Sequence, residues 1–116
     1  MVKDYNFKNY FSISEAMTIS NAIMPGPKFT LLDYNLICLA KSFHEAGKQF
    51  YMTNDQLASL LFSCEKTIRS SINRLCAAGL LKKEFIDNNR LKGRYLIYQS
   101  DRINSFISEM KMAISR

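Results

Sequence analysis

A chain of 116 residues is long enough for one domain and too short for two independent cores. Its 47% hydrophobic and 22% charged residues match a folded globular protein and exclude an apolar-poor disordered chain. The net charge of +6 is localised: residues 1–62 carry five bases and five acids, whereas residues 63–94 carry eight bases against three acids, a local field that attracts polyanions such as DNA phosphate.

Residues 1–11 mix aromatic and charged side chains, among them Tyr5, Phe7, Tyr10 and Phe11, and read as an arm or short strand suited to packing or dimerisation. A helix is expected from Ser12 to about Met24, where Pro25-Gly26-Pro27 stops it. Thr30 or Asp33 caps the next helix, whose apolar positions Leu32, Leu36, Leu39, Ala40 and Phe43 form one stripe, and Gly47 ends it. Gln49 to Met52 reads as a brief strand. Thr53-Asn54-Asp55-Gln56 matches a capping box, opening a helix of about eight residues with Leu57, Leu60 and Leu61 inward. Phe62-Ser63 makes a turn, with Ser63 expected to cap a helix from Cys64 to Ala78 that carries Ile68, Ile72, Leu75 and Cys76 on its apolar face. Gly79 supplies a left-handed cap, and Leu80–Ile86 with Arg94–Tyr98 form a hairpin with a basic tip. A last helix begins near Ser100 or Asp101, with Ile103, Phe106, Ile107, Met110 and Ile114 on a stripe that seals the core or meets a second copy.

Several function classes lack their residues. Cys38, Cys64 and Cys76 are odd in number, have no CxxC spacing and fall in helical patterns, so buried thiols in a reducing cytoplasm are expected and a metal site is not. The N-terminus carries no signal pattern, and no apolar run approaches the roughly 20 residues of a membrane span. His44, the single histidine, has no placed nucleophile, and no P-loop, HExxH or dinucleotide fingerprint occurs. No enzyme activity, cofactor or small-molecule ligand is therefore expected.

The informative unit is residues 53–98: short helix, tight turn, longer helix, basic hairpin. At about 100° per residue, the longer helix places Ile68, Ile72, Leu75 and Cys76 on one side and Lys66, Arg69, Ser70 and Asn73 on the other, with Thr67 beside them and Arg74 toward the flank. Arg and Lys donate to guanine or phosphate, Asn pairs with adenine, and Ser reads either. On this pattern Arg69 and Asn73 are base readers and Arg74 a phosphate contact. Lys82, Lys83, Arg90, Lys92 and Arg94 bracket the hairpin that follows, a second basic element able to reach phosphate or the minor groove.

The run from Met52 to Leu81 resembles the "LA..L..S..TI...I..L...GLL" pattern of winged helix-turn-helix domains. With the upstream helix it is similar to the amino-terminal domains of replication initiators from Gram-positive plasmids and phages, over about residues 29–98. The turn departs from that pattern, with Phe62 where a small residue or glycine is commoner. The resemblance implies an α+β, mostly helical winged helix-turn-helix fold; the extra N-terminal arm and helix (1–28) and the C-terminal amphipathic helix (99–116), read from their own residues, have no close counterpart in it. It also implies that the Ser63–Ala78 helix enters the major groove of double-stranded DNA while the hairpin acts as wing, in replication initiation or transcription regulation. Homodimerisation through the arm or last helix stays open. The competing expectation is a protein-interaction adaptor or inhibitor of the same fold, which would rest on the arm's aromatic residues.

Overall fold

Capping chemistry sets where the helices start. The structure, a computed structural model, describes residues 12–26, 28–87 and 92–115. Helix α1 (Ile13–Ile23) begins after Ser12, whose amide donates to the Glu15 carboxylate at 3.1 Å. Helix α2 (Leu31–Glu45) begins with a reciprocal box: Thr30 Oγ1 accepts from the Asp33 amide and the Asp33 carboxylate from the Thr30 amide. Helix α3 (Asn54–Leu60) repeats the device with Thr53 and Gln56. Helix α4 (Glu65–Ala77) leads into strands β1 (Leu81–Asp87) and β2 (Lys92–Tyr98), and α5 (Ser100–Ile114) completes an α+β, mostly helical fold.

The strands pair antiparallel, from Leu81 opposite Tyr98 to Asp87 opposite Lys92. The segment expected as a brief strand contributes one bridge, Phe50 to Leu96, with the Leu96 amide on the Phe50 carbonyl at 3.0 Å. Helices α2 and α4 pack together and onto the hairpin, burying Leu36, Ile37, Ile68, Ile72, Leu75, Leu81 and Leu96. Each such side chain contributes about 1.5–3 kcal/mol relative to exposure. Helix α5 lies on α1, with Ile103 and Met110 buried and Phe106 edge-on to Phe29.

Several expectations are corrected. Leu60 is half exposed, because α3 is two turns long and only Leu57 and Ala58 face the core. Ile114 is exposed, lying at the last residue of α5. Cys64, not Ser63, is the N-cap of α4, since the preceding turn consumes Phe62 and Ser63. The Cys64 thiol is therefore exposed rather than buried, while Cys38 and Cys76 are half buried; all three are free thiols.

Three helices end in the same backbone motif. After α2 the Lys48 amide reaches the Phe43 carbonyl, after α3 the Ser63 amide reaches Ala58, and after α4 the Leu80 amide reaches Leu75. Each closure needs a left-handed residue between, supplied by Gly47 (φ 70°), Phe62 (φ 55°) and Gly79 (φ 80°). At Gly79 it is the positive φ that requires glycine, since the nearest atoms to a Cβ there belong to the movable end of the Arg102 side chain. Phe62 alone of the three bears a side chain, and that side chain is 97% exposed. A non-glycine residue in this conformation costs about 1–2 kcal/mol, and the exposed ring recovers none of it by packing. Phe62→Gly is accordingly expected to raise stability by about 1 kcal/mol in urea unfolding, net of the extra freedom glycine gives the unfolded chain. A loss of stability would show that the ring does pack.

The charged contact at the centre of the fold joins α2 to α4. Asp33 is fully buried, and its two oxygens take four donors: the Thr30 amide at 2.9 Å, Arg74 Nε at 2.7 Å, Arg74 Nη2 at 3.2 Å and the Ser71 hydroxyl. Removing the carboxylate strands a guanidinium only 24% exposed. Asp33→Ala is expected to cost about 3 kcal/mol, read as a lower midpoint in denaturant unfolding. A change under about 0.5 kcal/mol, the size usual for a surface substitution, would refute the ion pair's role.

Candidate nucleic-acid interface

Helix α4 offers two faces because its buried residues Ile68, Ser71, Ile72 and Leu75 recur at i, i+3, i+4 and i+7. Opposite them Lys66, Thr67, Arg69, Ser70 and Asn73 are all exposed. Glu65 lies in the first turn, where a carboxylate complements the helix dipole.

The hairpin contributes by alternation. Leu81, Lys83 and Phe85 share one sheet face with their cross-strand partners Tyr98, Leu96 and Arg94. Lys83, Phe85 and Arg94 thereby line a cleft of about 140 Å³ together with Arg69, Asn73 and Ile72 of α4 and Asn54 of α3. Lys82 and Glu84 occupy the other sheet face and pair with each other at 2.8 Å. The hydrogen bond Lys82 donates to Glu84, then the Glu84 charge, raises the Lys82 pKa above the ordinary lysine value. Both side chains are substantially exposed, so the pair adds little stability.

The structure thus divides the cations that the sequence groups together. Arg74 is turned inward onto Asp33. Arg94 is half buried: its guanidinium donates to the Met52 carbonyl and to Asn54 Oδ1, at 2.6 Å for the latter, tying the hairpin to the start of α3. Burial also draws the Arg94 pKa below the ordinary arginine value. Among the described residues Lys66, Arg69 and Lys83 have no ion-pair or hydrogen-bond partner; Lys83 Nζ lies 5.9 Å from the Phe85 ring centroid. Lys92 opens β2 opposite Asp87. Arg90 and the aromatic arm residues Tyr5, Phe7, Tyr10 and Phe11 lie outside the described residues.

Sequence reasoning missed Phe85, Asn54, Asp33 and Ser71. Phe85 reads as an ordinary strand aromatic, and only the register shows it 73% exposed beside α4. Asp33 could be recognised as a cap, but its second use depends on the α2–α4 crossing. Among the described residues no cluster of three or more His, Cys, Asp or Glu could hold a metal, and no helix is long and apolar enough to cross a membrane. Comparison of the chain with known protein families and with curated proteins finds no match.

The thiols differ in reactivity. Cys64 Sγ lies 3.2 Å from Thr67 Oγ1; hydrogen bonds from the Thr67 hydroxyl and then its amide hold the Cys64 pKa below the usual thiol value, whereas burial pushes Cys76 up. Only the thiolate alkylates. At neutral pH iodoacetamide should therefore modify Cys64 well before Cys76, with the gap narrowing as pH rises above both pKa values. Equal rates in peptide mass mapping at neutral pH would contradict this.

Proposed function

We propose that this chain is a winged helix-turn-helix protein that binds double-stranded DNA, with α4 in the major groove and the β1–β2 hairpin as wing. One observation carries the reading: Arg69 and Asn73 of α4 and Lys83 of the hairpin line a single cleft, so the two basic elements form one surface. A solvated surface has no need of such convergence. Lys66, Thr67 and Ser70 continue the exposed face of α4 beyond the cleft and supply donors suited to base edges and phosphates. Arg74 and Arg94 serve this surface indirectly, by fixing α4 to α2 and the hairpin to α3.

The surface suits transcription regulation and replication initiation equally, and the sequence of the bound site decides between them. Titration of a labelled random duplex at several salt concentrations tests the proposal. Each phosphate neutralised contributes about −0.9 to the slope of the logarithm of affinity against that of salt. Lys83→Ala is expected to make that slope shallower by about one. Absence of binding at low salt, or an affinity indifferent to salt, would overturn the assignment and turn attention to a protein partner.

A further inference from the structure

Resting on the DNA reading, we infer that the α4–hairpin cleft is a seat for one backbone phosphodiester, and that Arg69 is a positioning contact to phosphate rather than a reader of bases. Every charged group in its wall is cationic: Arg69, Lys83 and Arg94, with no carboxylate among the lining residues. The two asparagines complete a donor set. Asn54 turns its Oδ1 to Arg94, leaving its amide nitrogen to donate, and Asn73 is exposed at the rim. A wall of donors and cations selects an anion.

Size and shape narrow the anion. About 140 Å³ accommodates a tetrahedral phosphate and the edge of its sugar. Phe85 gives the sugar a partner. Its ring is 73% exposed and gains little from folding in that position, yet it stands in the wall next to Lys83. A deoxyribose laid on Phe85 excludes water from the cleft and strengthens the attraction of Arg69 and Lys83 for the phosphate. Buried Ile72 forms the floor, and Arg94 is already fixed by two hydrogen bonds, so the seat is preorganised.

The division of labour on α4 follows. A phosphate held between Arg69 and Lys83 fixes the register of the helix on the duplex, while Lys66, Thr67 and Ser70, displaced around the helix from the cleft, remain for base edges.

The test uses the full chain and a duplex recovered by selection from a random pool, with backbone phosphates replaced singly by neutral methylphosphonates. Wild type should lose about tenfold in affinity at one phosphate per bound protomer, the worth of one charge-assisted hydrogen bond. Arg69→Met and Lys83→Met should each bind the unmodified duplex more weakly and no longer respond to that replacement. Lys66→Met should keep the full response, and Phe85→Ala should show a smaller one. Thermal melts of all four variants should match wild type, since the side chains altered lie outside the core. Salt-dependent binding with no single sensitive phosphate, or full sensitivity retained in Arg69→Met, would overturn the seat and leave the DNA assignment standing. Failure of wild type to bind any duplex would overturn both.

Discussion

The position of α4 depends on a single buried carboxylate. Asp33 lies in the first turn of α2, where its side chain satisfies the Thr30 amide as any capping residue would. The same two oxygens also take the Ser71 hydroxyl and the Arg74 guanidinium, residues almost one turn apart on α4. A capping interaction fixes where a helix begins; this one also fixes the rotation and axial position of a second helix. Apolar packing alone tolerates small slides between helices, because dispersion is non-directional. Three directed hydrogen bonds from α4 to one carboxylate do not, and the exposed face of α4 is thereby held in one orientation.

The hairpin is held to the same standard by different means. Its inner half is anchored by Leu81 and Leu96 in the core and by the bridge to Phe50, while Arg94 reaches from β2 to Met52 and Asn54. Strand β2, the pairing partner of the strand that carries Lys83, is thus tied to α3, and α3 is tied to α4 through the turn at Phe62. Distances across the cleft are set by this closed loop of contacts, so that Arg69 and Lys83, which arise from separate elements, converge without touching.

Much of this architecture is written in local signals. The capping boxes at Thr30 and Thr53, the glycines at 47 and 79 and the apolar stripe on α4 are short-range patterns that survive folding unchanged. The exposed set Lys66, Arg69, Ser70 and Asn73 follows from helical periodicity alone. What periodicity does not reveal is the partner of a side chain on another element. Arg74 reads as a flank cation and Ser71 as an unremarkable helix residue until α2 is laid across them. Ser63 is displaced from its expected capping role because the left-handed closure after α3 turns its amide back to the Ala58 carbonyl and leaves Cys64 as the cap. The sheet face of Phe85 likewise depends on register, which the hydrophobic pattern of so short a hairpin constrains only weakly.

Net charge therefore overstates the electrostatic reach of this segment. Of the six cations between residues 63 and 94 whose side chains the structure describes, Arg74 and Arg94 are consumed by internal contacts and Lys82 faces its own acid on the far side of the sheet. Lys66, Arg69 and Lys83 are left to act outward, and they lie together on α4 and its facing strand rather than spread over the domain. On the proposed DNA reading each neutralised phosphate adds about 0.9 to the salt slope, so these cations alone give a modest counterion-release term. Placement must then do what number cannot: two of the three converge on a shallow, partly apolar cleft where the effective dielectric is lower than on open surface, so the charge that remains exerts more force where it is concentrated.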